Sequence, residues 1–139
     1  MAATRYSKQR EAIRTYLLST KQHPTAEIVY ENIQQSFPNI SLGTVYRNLN
    51  FLVEHGDALR LDFGDGVDHF DGNTKSHNHF FCKSCGRVID LEMDPINHIN
   101  QIANAGFKGN IQGHTIYFYG ICENCQNTSC QADQEKNAN

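Results

Sequence analysis

The chain has 139 residues, with 12 basic and 15 acidic side chains and a formal charge of −3, so it has room for one domain or two small ones and no overall positive charge to advertise a nucleic-acid partner. No apolar run reaches the roughly 18 residues of a membrane helix, and Met1-Ala2-Ala3-Thr4-Arg5 lacks the apolar core of a signal peptide, so no membrane partner is expected. A soluble cytoplasmic protein is the expectation, in which paired cysteines hold metal rather than form disulfides.

Residues 7–19 predict a helix with Ser7 as its N-cap and Ile13, Tyr16 and Leu17 on one face. His23-Pro24-Thr25 breaks it, and Thr25 caps a second helix with Ala26, Val29 and Ile33 inward, ended by Phe37-Pro38-Asn39. Ser41 caps a third, with Val45, Leu49 and Leu52 inward and Gly56 as its stop. Two short strands, 58–63 and 67–71, flank a Gly64-Asp65-Gly66 hairpin turn. Three helices and a hairpin are the order of a winged helix-turn-helix, whose last helix enters the DNA major groove. The third helix turns Thr44, Tyr46, Arg47 and Asn50 away from its apolar face. Arginine and asparagine can read guanine and adenine edges, and tyrosine can reach phosphate. The first 21 residues set Arg5, Lys8, Arg10, Arg14 and Lys21 against Glu11 alone, which suits a phosphate backbone; Arg5, Lys8 and Arg10 join the DNA-contact candidates. Spacing alone suits an ordinary solvated face as well as it suits DNA.

The DNA-binding half is placed at 1–71 and a hinge linker at 72–76. Strands are expected at 79–81, 87–91 and 111–121, and a helix at 95–105 with Ile96, Ile99 and Ile102 at threefold spacing. This β-β-α-β stretch, 77–126, reads as a dimerisation and metal-binding module. Residues 127–139 are polar, rich in Asn and Gln, and expected to be disordered, with Cys130 a free thiol. The fold class is α+β: a winged helix-turn-helix domain followed by a small α/β dimerisation domain with a four-cysteine zinc site.

Cys82-Lys83-Ser84-Cys85 and Cys122-Glu123-Asn124-Cys125 are two Cys-x-x-Cys pairs separated by 36 residues. Each is expected to form a tight knuckle on its own β element. Together they offer the four thiolates of a closed structural zinc site, with an iron–sulfur centre or a redox switch as rivals. Asp71, His77, His79 and Asp90 lie beside the first pair. On a strand, His77 and His79 share a face, and imidazoles with carboxylates suit Fe(II) or Mn(II). The plainer reading is two surface histidines beside solvated acids. Spacing places His23 in the other half and keeps it out of this set; His55, His69, His98 and His114 read as structural or surface residues.

The segment His77-Asn78-His79-Phe80-Phe81-Cys82-Lys83-Ser84-Cys85-Gly86-Arg87-Val88-Ile89-Asp90 resembles the central signature of the ferric uptake regulator family. Thr44-Val45-Tyr46-Arg47-Asn48-Leu49, His23-Pro24-Thr25-Ala26 and Tyr119-Gly120-Ile121-Cys122-Glu123-Asn124-Cys125 match it too, so the likeness spans about residues 5–126. The resemblance implies a homodimeric, metal-dependent transcriptional repressor, not an enzyme, that binds an inverted-repeat DNA operator. It puts Cys82, Cys85, Cys122 and Cys125 on structural zinc positions. It puts His23, Asp71, His77, His79 and Asp90 on regulatory Fe/Mn positions, reversing the spacing argument about His23. Aspartate at both carboxylate positions is similar to the peroxide-sensing branch, in which Fe(II) chemistry oxidises ligand histidines, here His23 and His77. A further site of iron sensors would need ligands at Ser76, Asn78, Asn97 and His114, where only His114 could serve. An iron- or other metal-responsive uptake repressor is the nearest alternative. From other classes come a non-heme iron enzyme and a zinc-stapled interaction module without DNA.

Overall fold

The computed structural model describes residues 7–127, which form two compact units with the boundary between Lys75 and Ser76. Arg5, Cys130 and the polar tail after residue 127 lie outside the described residues.

In the N-terminal unit, α1 (Lys8–Ser19), α2 (Ala26–Ile33) and α3 (Leu42–Glu54) precede β1 (Leu59–Asp62) and β2 (Asp68–Asp71). Each helix starts at a side-chain cap: Ser7, Thr25 and Ser41 accept from the backbone N–H of Arg10, Ile28 and Thr44. Such a cap satisfies one of the orphan donors of a first turn and stabilises the helix by about 1 kcal/mol. Gly56, at φ +77°, closes α3 where a side chain would be strained. The three helices bury Ile13, Leu17, Val29, Val45, Leu49 and Leu52 together with Phe70 of β2. Full burial of one such side chain stabilises by roughly 1.5–3 kcal/mol. β1 and β2 pair antiparallel in the register Leu59↔Asp71 to Asp62↔Asp68, around the expected glycine turn.

The C-terminal unit contains β3 (Asn78–Cys82), β4 (Val88–Leu91), α4 (Ile99–Asn104), β5 (Phe118–Gly120) and α5 (Glu123–Asn127). β3 is central, antiparallel to β4 and parallel to β5. Three expectations are corrected here. The helix expected over 95–105 begins only at Ile99, because His98 sits in the left-handed region at φ +69° and interrupts it. The strand expected over 111–121 shrinks to three residues, since the side chain of Asn104 takes both the N–H of Ile111 (3.0 Å) and its carbonyl (3.3 Å), groups a ladder would need. The second cysteine pair lies on no strand: Cys122 follows β5 and Cys125 falls in α5.

Candidate metal centres

β3 delivers Cys82 at its end, and a turn closed by Gly86 N–H to the Cys82 carbonyl (2.8 Å) brings Cys85 back beside it. β5 runs parallel to β3 with Gly120 opposite Cys82, so Cys122 arrives at the same end of the sheet and the first turn of α5 adds Cys125. The four sulfurs lie within 4.8 Å of one another, with 3.6 Å from Cys82 to Cys125 and 3.8 Å from Cys85 to Cys122. Four thiolates about 2.3 Å from one zinc ion would sit about 3.8 Å apart at the corners of a tetrahedron, so the arrangement fits that ion. Cys82, Cys122 and Cys125 are buried and form the centre of this unit's small core, flanked by Phe80, Ile89 and Ile121. Burial pushes the Cys82 thiol up, but the backbone N–H groups of Cys85, Cys122 and Ser84 outweigh it and bring it down from 9.0 to about 7. Partial burial pushes Cys85 up instead.

Two histidine–aspartate groups lie elsewhere, one in each unit. In the C-terminal unit the register sets Asp90 of β4 opposite His79 of β3. One Asp90 oxygen stands 3.3 Å from His77 Nε2 and 3.4 Å from His79 Nε2, with the two rings 4.3 Å apart. In the N-terminal unit His23 and Asp71 are both buried, with His23 Nε2 3.3 Å from one Asp71 oxygen. The other Asp71 oxygen accepts from Asn73 N–H at 2.9 Å, which orients the carboxylate. Hydrogen bonds of this type centre near 2.9–3.0 Å. Neighbouring ligands about 2.1 Å from an ion stand roughly 3.0–3.4 Å apart at octahedral to tetrahedral angles. The His–Asp separations therefore fit ligands of a shared hard cation.

The pairing of His23 with Asp71 overturns the spacing argument that left His23 in an unrelated turn. The wing carries it: Phe70 N–H donates to the Pro24 carbonyl at 2.9 Å and His69 Nδ1 lies 3.0 Å from the His23 carbonyl, so β2 is laced to the turn after α1. Gly72 then lies so close to the last turn of α1 that a Cβ would meet the backbone of Leu17 and Leu18 at 2.7–2.9 Å.

The outward face of α3 is held by its neighbours. Tyr46 donates to Glu27 at 3.0 Å, Arg47 donates to Thr44 at 2.8 Å, and Arg60 of β1 donates to Asn50. Arg10 lies over the Phe51 ring at 4.0 Å, while Lys8 is exposed. Sequence reasoning missed Glu27, Arg60, His69 and Gly72, because each acts through a partner far away in the chain.

These features define a class: a winged helix-turn-helix unit followed by a unit with four clustered cysteines, with a histidine–aspartate group in each. The model of the Ferric uptake regulator family matches residues 1–119, and the chain belongs to that family. It is 37% identical over 125 residues to the peroxide-responsive repressor PerR of Staphylococcus aureus, an alignment covering 90% of this chain and 84% of the relative. Among solved structures it resembles the Helicobacter pylori ferric uptake regulator Fur, described as having three functional metal binding sites, with TM-score 0.76, 27% identity and coverage of 90% of this chain and 84% of that one. It also resembles the Campylobacter jejuni peroxide stress regulator, with TM-score 0.71, 26% identity and coverage of 84% and 88%. These relatives are repressors and regulators by name, and the chain is a regulator rather than an enzyme.

Proposed function

We propose that the protein is a metal-dependent dimeric repressor of the peroxide-sensing type. Residues 1–71 bind operator DNA, 72–76 form the hinge, and 77–126 dimerise and hold zinc through Cys82, Cys85, Cys122 and Cys125. His23, Asp71, His77, His79 and Asp90 together bind Fe(II) or Mn(II). Such a cation favours whichever arrangement of the two units lets all five ligands reach it, and so shifts the population toward one DNA-binding state. Thr44, Tyr46, Arg47 and Asn50 read the major groove of an inverted repeat, with Arg5, Lys8 and Arg10 near phosphates. Dimerisation has support in the apolar surface the C-terminal unit leaves open, with Ile102 73% and Phe107 56% exposed.

The observation that carries the peroxide reading is the donor set: three imidazoles with aspartate at both carboxylate positions and no thiolate among them. Bound Fe(II) would supply the electron that splits peroxide and leaves an oxidant beside the ligand rings. His23 and His77 each stand 3.3 Å from a partner carboxylate, which fixes the ring against the site; in the net step one peroxide gives one oxygen atom to a ring carbon and leaves as water, the two electrons coming from the ring and none being consumed from the iron. A 2-oxo-histidine is a poor ligand, so the five-ligand set is broken and the operator is released.

Protein loaded with Fe(II) without oxygen and given equimolar peroxide tests this, with peptide masses and operator binding followed together. One added oxygen at His23 or His77 with loss of binding, and neither under Mn(II), is the expected result. Intact histidines with binding that follows free metal alone would make the protein a metal-uptake repressor.

A further inference from the structure

His69 is a buried imidazole that the sensing chemistry does not use. It sits on β2, two residues before Asp71, 8% exposed, with its ring edge toward Phe63 at 5.7 Å. Its Nδ1 lies 3.0 Å from the backbone carbonyl of His23. A carbonyl oxygen only accepts, so Nδ1 carries the proton in this contact and the tautomer is set by the partner. The other nitrogen, Nε2, faces an Asp65 oxygen at 3.5 Å. Asp65 belongs to the wing turn, and its second oxygen accepts from Val67 N–H at 3.1 Å. With the proton on Nδ1, the bare Nε2 has nothing to donate to Asp65, so the hold of His69 on the main chain of His23 comes through Nδ1 alone.

That main chain needs holding. His23 has φ +53°, a left-handed conformation uncommon for a residue with a side chain. It also precedes Pro24, whose ring pushes its predecessor toward extended geometry. A conformation disfavoured twice persists only where its surroundings over-determine it. The His69 bond to the His23 carbonyl and the Phe70 bond to the next carbonyl, at Pro24, supply that restraint from one strand.

We infer that His69 is a positioning residue for the regulatory site: it pins the His23 carbonyl from β2 and aims the His23 ring at Asp71. This rests on the reading of His23 as a regulatory ligand. Partners that orient a metal's ligands typically change affinity by tenfold or more when lost.

The test uses zinc-replete full-length protein and Mn(II) titration read by electron paramagnetic resonance. His69→Phe keeps a ring against Phe63 and removes the donor; Mn(II) affinity should fall by roughly tenfold while zinc content stays whole. His69→Asn puts an amide N–H where Nδ1 was and should recover most of the affinity. His69→Gln puts one nearer Nε2 and should not. In metal-free protein the Phe70 amide should exchange faster in the Phe variant than in the Asn variant. Thermal midpoints check folding, and the Asn–Gln contrast still decides where all variants are less stable. Mn(II) binding by His69→Phe as tight as the parent's, or an Asn variant no better than the Gln variant, overturns the inference. His23→Ala run beside them separates the two ideas. If it loses Mn(II) while His69→Phe keeps it, the positioning role alone falls. If it binds Mn(II) as the parent does, the ligand reading falls and takes this inference with it.

Discussion

Replacing Gly72 by alanine sets two opposing effects against each other. An alanine narrows the unfolded chain and by that alone stabilises by about 0.4–1 kcal/mol where the native backbone accepts it. The backbone of Gly72 lies outside the positive-φ region, so strain of that kind gives no objection. Space does: the new Cβ would stand 2.7 Å from the carbonyl carbon of Leu17, 2.8 Å from its oxygen and 2.9 Å from Leu18 N. Comfortable carbon contacts begin near 3.5 Å, and main-chain atoms within a helix cannot swing aside as a side chain can. Overpacking of this sort costs about 1–3 kcal/mol, so the clash wins and the net loss is about 1–2 kcal/mol. For a unit of this size that corresponds to a fall of roughly 5–10 °C in the melting midpoint of the helical signal. Because Gly72 follows Asp71 directly, the displacement should also weaken Mn(II) binding. Circular dichroism melts and urea titration of Gly72→Ala measure the first effect, metal titration the second. A variant as stable as the parent, or more so, would refute the close approach of the chain after β2 to α1.

Cys122→Ser should lose bound zinc and, with it, the protection of the Cys82 and Lys83 amides, while α1–α3 keep theirs, because the N-terminal core contains no cysteine; hydrogen exchange with zinc analysis reads both, and exchange that rises equally in the two units would be the contrary result. A thiol lowered to about 7 at Cys82 holds its stabilising thiolate above the ordinary range and gives it up as pH falls through 7, so at pH 8 it has already shed its proton. Arg10→Ala removes a guanidinium 4.0 Å from the Phe51 ring and should destabilise the N-terminal unit by about 0.5–1 kcal/mol, measured by urea unfolding.

What the sequence made legible is what neighbouring residues decide. Ser7, Thr25 and Ser41 mark their helices because each cap binds an amide three residues on. Gly64 and Gly66 mark the hairpin because both sit at positive φ. The cysteine pairs were legible because a Cys-x-x-Cys turn converges two sulfurs locally. The start of α4 and the extent of β5 were not, since the left-handed turn at His98, a side-chain clamp from Asn104 to Ile111 and a parallel partner in β3 decide them. His23 entered the candidate ligand set only through family likeness. Its approach to Asp71 depends on hydrogen bonds between the turn after α1 and the wing, which no local pattern announces.

β3 bears donors of two kinds: His79 faces one side of the sheet and Cys82, three residues on, faces the other. Zinc outcompetes manganese and ferrous iron at almost any site that both can enter, and a stray thiolate would widen its advantage. About 10 Å of stiff strand and a reversal of face keep the sulfur of Cys82 from wandering into the company of the imidazoles. A single pleat thus acts as a sorting rule. The four sulfurs gather where a thiolate-seeking ion such as zinc is drawn, and the imidazoles keep a donor set free of sulfur.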